Sequence, residues 1–385
     1  MKKHYSILFF FFVFGFFKGQ SQIIIDHTCT KIADIPQQWI ETAKSTLLIS
    51  YQHTSHGSQL VSGIDALAEA YPADFSFEKS GYGFQQGIFL NDNGIPEAGD
   101  LGHTGDLAWR DATLNLIANP DFDRNVIIWS WCGGCSDNTE EGINAYLNAM
   151  NTLETDNPNI TFVYMTGHLD GSGTEGTLNQ MNTLIRNYCI SNHKILFDFA
   201  DIESYDPDAA VNYMELLALD NTQYDNSGSG NPWAGEYWTV NWLTNNQTSA
   251  LAVETPLCSE CAHSDDNTES KMNCILKGRA FWYLLARIAG WDGVAASEVI
   301  VANSKVQIVP NPNKGIFKLN LTNYSKKNTV LKIYNSCGQL IDSKNVNLSE
   351  NLNEIRVDMS AQKKGIYFFT TDDAKEPQSG KIIVE

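Results

Sequence analysis

Four short apolar or β-rich runs punctuate the larger part of the chain: Thr46–Tyr51, Val126–Trp131, Ile160–Met165 and Lys194–Phe199. Apolar positions recur at three- and four-residue spacing over Gln59–Ala70, Glu141–Leu153, Leu178–Asn192 and Lys271–Ile288. Short apolar runs bounded by turn residues predict strands buried on both faces, and the helical spacing predicts amphipathic helices. Strands alternating with helices predict βαβ units and a parallel sheet. Such sheets place their ligand sites beyond the carboxyl ends of the strands. Two unusual polar segments fall there. Gln52-His53-Thr54-Ser55-His56-Gly57-Ser58 follows the first run, and Trp131-Cys132-Gly133-Gly134-Cys135-Ser136-Asp137-Asn138 follows the second.

The rhythm breaks over residues 205–257, rich in Asn, Gly, Ser and Thr and carrying Tyr224, Trp233, Tyr237, Trp238 and Trp242. A long insertion of this kind is functional or disordered. The aromatics predict an ordered lid or a sugar-stacking surface, with Trp233 and Trp238 as substrate-binding residues; packing of the loop onto the body would use the same rings. Beyond a change of composition at 295–305, short alternating runs between Gly, Asn and Pro turns predict a small antiparallel β-sandwich over 306–385. At the other end, Met1-Lys2-Lys3, the apolar run Ile7–Phe17 and the small residues up to Ser21 have the layout of a secretory signal peptide. That run is short for a membrane span, and the processed chain is expected to have no integral membrane segment. The expected organisation is a signal peptide at 1–21, an α/β domain at 22–294, a linker at 295–305 and a β-domain at 306–385.

Charge is unevenly placed. The net charge is −25 over residues 22–305 and +3 on each flank, within a total of −19. An acidic body excludes nucleic acid and anionic membranes as expected partners. The eight cysteines include two CxxC pairs, Cys132/Cys135 and Cys258/Cys261. In an exported chain these favour disulfides over a zinc site, with the connectivity open.

The run Pro310-Asn311-Pro312-Asn313-Lys314-Gly315, with Gly365-Ile366-Tyr367 and the terminal Lys-Ile-Ile-Val-Glu, resembles the C-terminal sorting domain of type IX secretion. The resemblance implies the type IX secretion machinery as a partner, passage over the outer membrane, and release or surface attachment.

A serine on a tight strand-to-helix turn presents its Oγ at the sheet edge, with its backbone N–H available to an oxyanion. Ser55 has that place, and Ser58 is the expected cap of the helix beginning at Gln59. Far along the chain, Glu260-Cys261-Ala262-His263 sets a carboxylate three residues before a histidine, ahead of the last helix. On a turn, that spacing lets the carboxylate orient the imidazole. Ser55 and His263 together resemble the SGNH/GDSL hydrolases. The resemblance implies a three-layer α/β/α flavodoxin-like fold and ester hydrolysis, often of acylated carbohydrate, through an acyl-enzyme. It implies Ser55 as nucleophile, His263 as base, Glu260 as its orienting carboxylate, and an oxyanion hole from the Ser55 N–H, Gly81 and Asn138. No cofactor or metal is implied, and His53 and His56 would contact substrate or buttress the turn.

The chain departs from that pattern at His53-Thr54-Ser55, where the family has Gly-Asp-Ser. Two other readings therefore stay open. His53, His56, His103, His168 and His263 could converge with a carboxylate on a metal, or the scaffold could bind glycans without turning them over.

Overall fold

The computed structural model describes residues 22–95, 97–293, 306–321, 328–335, 339–347, 353–371 and 379–384. The expected signal peptide and the whole of the expected linker lie outside these residues. The chain divides into two compact units, Met1–Ala295 and Ala296–Glu385.

The first unit is built on a seven-stranded sheet: β1 (Ile24–Ile25), β2 (Ile49–Gln52), β3 (Lys79–Ser80), β4 (Leu90–Asp92), β5 (Val126–Trp129), β6 (Thr161–Met165) and β7 (Ile195–Phe197). The spatial order is β1-β7-β6-β5-β2-β4-β3, and every neighbouring pair is parallel. The inner five strands, taken in chain order from β2, run 2-1-3-4-5, the flavodoxin-like order. β1 and β3 extend the two edges. The four predicted runs became β2, β5, β6 and β7, each nearly all buried, as strands covered on both faces must be. The two-residue β1 and β3 are too short to leave a periodic signature, and the three-residue β4 carries the polar Asn91 and Asp92.

Among the described residues ten α-helices accompany the sheet: α1 (Gln37–Thr46), α2 (Ser55–Ala70), α3 (Pro72–Phe75), α4 (Ala108–Ile117), α5 (Glu140–Asp156), α6 (Thr177–Ser191), α7 (Phe199–Ser204), α8 (Trp238–Asn245), α9 (Ala250–Glu254) and α10 (Met272–Ile288). α1, α2 and α10 pack together, and α4, α5 and α6 form a second group. Right-handed crossovers on either side of β2 put these groups on opposite faces of the sheet. The result is a mixed α/β unit with a parallel sheet flanked by helices. α2 and α10 come closest at Gly63 and Gly278. A β-carbon on Gly63 would stand 1.9 Å from the Cys274 carbonyl oxygen, so only glycine allows this approach. It brings the polar face of α10 directly beneath the start of α2.

The insertion after α7 is ordered. It contains a small hairpin, β8 (Gln223–Tyr224) with β9 (Glu236–Tyr237), followed by α8 and α9. Its apolar residues Met214 and Ala218 cluster with Leu169 and Ala200 of the body.

The second unit holds β10 (Val306–Val309), β11 (Ile316–Leu321), β12 (Asn328–Asn335), β13 (Leu340–Asn347), β14 (Asn353–Asp358), β15 (Gly365–Thr371) and β16 (Ser379–Val384). Two antiparallel sheets, β10-β11-β14 and β13-β12-β15-β16, share one apolar cluster that includes Phe317, Val357, Ile333 and Phe369. Alternating in-and-out residues on facing sheets make a sandwich.

Candidate functional site

The strand order reverses between β2 and β5, so a crevice opens beyond their carboxyl ends. Both polar segments singled out in the sequence meet there. After β2 the chain turns within three residues into α2, whose first residue is Ser55 and whose N-cap is Thr54. Gly57 permits the turn, since a β-carbon on it would lie 2.2 Å from Ser130 Oγ and 2.3 Å from His53 Cβ. After β5 the chain delivers Cys132, at the head of the short 3-10 turn Gly133–Cys135.

The centre of the site is the His56 imidazole. Its Nδ1 lies 3.1 Å from Cys132 Sγ, and its Nε2 lies 3.0 Å from Asp220 Oδ2. The ring is sandwiched: His168 stacks on it at a centroid distance of 3.4 Å and an interplanar angle of 4°, and His263 at 4.1 Å and 11°. His168 hangs just beyond β6, and its Nδ1–H donates to the Leu169 carbonyl at 2.9 Å. Thiol and carboxylate thus flank the two nitrogens of one imidazole, an arrangement open to nucleophile–base chemistry.

Electrostatics follow from the geometry. The hydrogen bond to His56 draws the Cys132 thiol down from 9.0 to about 6, against burial, with help from the Thr54 and Ser55 hydroxyls. The positive end of the α2 dipole acts in the same direction. Burial alone would lower His56, but Asp220 and Cys132 outweigh it and push the ring up to about 9. Between those values Cys132 is a thiolate and His56 an imidazolium. Burial and the His56 charge hold His168 below its ordinary value, so this neighbour stays neutral. The other free cysteines behave oppositely: burial pushes Cys29 and Cys258 up to about 11 and Cys135 to about 12. Cys132 alone among the described free cysteines is half-exposed and acidified.

The residues expected from the sequence fall into place unevenly. Ser55 lies at the site, but its Oγ is 3.6 Å from Cys132 Sγ, and among the described residues no hydrogen bond joins it to a histidine. His263 reaches the site as a stacking ring on an exposed loop, with φ of 62°. Glu260 is exposed and makes no described contact with His263; its carbonyl accepts from the Cys258 thiol instead. Asn138 is buried and its amide is spent, with Nδ2 donating to the Gly134 carbonyl at 2.9 Å and the Gly102 carbonyl at 3.3 Å. Neither donor is left for an oxyanion. Gly81 follows β3 at the outer edge of the sheet with open space beside it. Ser58 does not cap α2: the helix begins at Ser55, and the Ser58 hydroxyl donates to the Ser55 carbonyl.

His53 buttresses the turn. Its Nε2 meets Asp92 Oδ1 at 2.7 Å and its Nδ1 the Thr54 carbonyl. Of the two tryptophans expected to bind substrate, Trp233 is 67% exposed, whereas Trp238 is fully buried, stacked on Tyr213, and unable to touch a ligand. Neither CxxC pair is bonded within itself. Cys261 pairs with Cys274 of α10 and tethers the His263 loop, while Cys132, Cys135 and Cys258 are free.

Asp220 carried no local sequence signal, since it sits in the irregular insertion. Cys132 and His168 had one, because both lie at carboxyl ends of inner strands, as His56 does. The CxxC spacing marks Cys132 as half of a pair rather than as a lone thiol. His56, Asp220 and His263 also offer one donor atom each within 4.8 Å of one another, enough to hold a cation. Asp26, His27 and Asp201 do the same, away from the crevice. Two cavities of about 430 and 510 Å³ share no residue with the His56 cluster.

No curated protein sequence matches the chain. Among solved structures, the chain is similar to a Cellulomonas fimi endo-beta-1,4-mannanase double mutant at 12% identity and a TM-score of 0.19. The alignment covers 86% of this chain and 59% of that one, and a likeness so slight carries no argument. Residues 307–385 match the family described as the secretion system C-terminal sorting domain. No described helix is long and apolar enough to cross a membrane. The chain is thus a secreted, surface-directed protein whose residues 307–385 are a type IX sorting domain.

Proposed function

We propose that the α/β unit is an acyl hydrolase whose nucleophile is Cys132, with His56 as acid and base and Asp220 as the carboxylate that holds His56 protonated. The observation that carries this reading is the 3.1 Å approach of Cys132 Sγ to His56 Nδ1, with Asp220 on the opposite nitrogen. Thiolates, not thiols, are the nucleophiles, and a histidine partner makes them at neutral pH.

In the first step the Cys132 thiolate attacks the acyl carbonyl. The sulfur–carbon bond forms and the carbonyl electrons move onto oxygen. The unpaired backbone N–H groups of the first turn of α2 supply positive charge beside the developing oxyanion. When the intermediate collapses, His56 Nδ1 gives its proton to the departing alcohol or amine, leaving a thioester on Cys132. Neutral His56 then takes a proton from water, which attacks the thioester, and the thiolate–imidazolium pair is restored. Asp220 steadies the imidazolium through Nε2, and the His168 and His263 faces keep the ring in its plane. Ser55 contributes a hydroxyl to the thiolate rather than attacking. The site is open, with Ser55 and His263 exposed, which suits a large substrate outside the cell such as an acylated glycan.

The test is turnover of p-nitrophenyl acetate and acetylated polysaccharides by the full mature chain, with Cys132→Ala and Ser55→Ala beside it. Activity abolished by Cys132→Ala and largely kept in Ser55→Ala supports the thiol mechanism. The reverse pattern would return the nucleophile to Ser55. The donor set of His56, Asp220 and His263 favours a second reading, metal-assisted hydrolysis. Loss of activity with a chelator and recovery with zinc would support that reading instead.

A further inference from the structure

We infer that Lys277, buried in α10 and closed off from solvent, is the positioning residue that aligns the His56 imidazole with Cys132. The inference rests on the thiol mechanism above. Lys277 is fully buried, which is costly for an ammonium unless every contact is matched. Its Nζ donates to Gln59 Oε1 and pairs with Glu203 Oε1, and it lies 4.3 Å above the Phe199 ring. Both partners are themselves buried.

Each partner spends its second polar atom on a loop that carries a site histidine. Gln59 Nε2 donates to the Ala262 carbonyl at 2.5 Å, one residue before His263. Glu203 Oε2 accepts from the Leu169 N–H at 2.7 Å, one residue after His168. His263 and His168 are the two rings that sandwich His56. Gln59 also lies one turn beyond His56 on α2. One turn before Lys277, Asn273 donates to the Asp220 carbonyl at 2.6 Å. The same face of α10 therefore holds the backbone of Asp220 and, through Lys277, both slabs of the sandwich. Cys274 adds the covalent tether to the His263 loop.

Without the ammonium, Gln59 and Glu203 lose their shared anchor, the two loops are free to shift, and the His56 ring is no longer confined to the plane that aims Nδ1 at Cys132. The expected cost falls on the chemical step rather than on substrate capture.

The experiment measures iodoacetamide alkylation at Cys132 in the full mature chain at pH 7, mapped by peptide mass spectrometry, together with kcat and KM. Lys277→Met should slow alkylation and kcat by about tenfold or more, the size of one tenfold loss in thiolate fraction, and leave KM close to that of the parent. The double variant Lys277→Met/Glu203→Met replaces the buried pair by apolar side chains, which commonly restores stability. If it regains the parent melting temperature yet stays slow, the buried Lys277–Glu203 pair positions the site; if it regains the parent alkylation rate as well, the pair only stabilises and the inference is overturned. Should the Lys277 variants not fold, Gln59→Leu cuts the link to Ala262 while keeping the ion pair. Slow alkylation there supports the inference, and the parent rate overturns it. Slow alkylation of the parent itself, at the pace of an ordinary thiol, would instead bring down the thiol mechanism and this inference with it.

Discussion

Replacing Asp220 by Asn removes the charge 3.0 Å from His56 Nε2 while keeping the side-chain shape. The side chains of His56 and Asp220 are only 13% and 11% exposed, so water screens the pair weakly. His56 ionises at about 9 instead of its ordinary 6.5, a preference for the protonated ring worth about 3 kcal/mol. Burial works against that preference, and Asp220 is the first of the groups that overcome it. In Asp220→Asn the ring falls back toward or below its ordinary value. Cys132 then loses its cationic partner and rises from about 6 toward 9. The two changes close the window of the thiolate–imidazolium pair from both sides. The parent should show a bell-shaped dependence of kcat/KM, rising through about 6 as Cys132 ionises and falling through about 9 as His56 deprotonates. The variant should show a narrower bell and a maximum lower by roughly 10²-fold, the rate equivalent of about 3 kcal/mol. The assay is ester turnover from pH 5 to 10, with iodoacetamide alkylation of Cys132 over the same range as a substrate-free check. An Asp220→Asn profile that keeps the parent limbs within a few tenths of a pH unit would refute the role given to Asp220.

Three further outcomes are expected. Asn138→Leu should lower the melting temperature, because it takes a donor from the half-buried Gly102 carbonyl and leaves the buried Gly134 carbonyl unpaired, the latter at a cost of about 1–3 kcal/mol; a catalytic loss with unchanged stability would restore Asn138 as an oxyanion donor. Cys261→Ser with Cys274→Ser should destabilise the chain by about 2–4 kcal/mol and loosen the His263 loop; an unchanged unfolding midpoint and unchanged kcat would show that the tether is idle. Chelator should leave activity intact, read by turnover before and after dialysis and zinc addition; zinc-dependent recovery would point to the His56, Asp220 and His263 donor set.

The fold was legible wherever the chain repeats. β2, β5 and β6 are long enough and buried enough to write apolar runs, β7 lies in one that continues to Phe199, and α2, α5 and α6 each show one wet and one dry face, whereas α10 is buried nearly all round. β1 and β3 are too brief to register, and two of the three residues of β4 are polar. The resemblance to a serine hydrolase points to the crevice that holds the His56 cluster, because strand order and the place of Ser55 are properties of the backbone. It does not give the contacts inside the crevice, because which atom there faces which is decided by tertiary packing. His56 lies one residue from Ser55, yet it alone points at both Cys132 and Asp220. Asp220 reaches it from an insertion with no repeat of its own. The CxxC spacings read as disulfides, but Cys132 is held open by the 3-10 turn that follows it, and Cys135 points into the body against Asn182. Trp238 shows the same limit, since composition cannot tell an aromatic that stacks on a sugar from one that fills the core.

The most direct test is to trap the acyl-enzyme. The full mature chain is mixed with a slowly hydrolysed activated ester, quenched in acid during the burst, and digested for peptide mass spectrometry. The acyl mass should appear on the peptide bearing Cys132 and be released by neutral hydroxylamine, as a thioester is. An acyl group on Ser55, or steady turnover with no adduct on Cys132, would contradict the account.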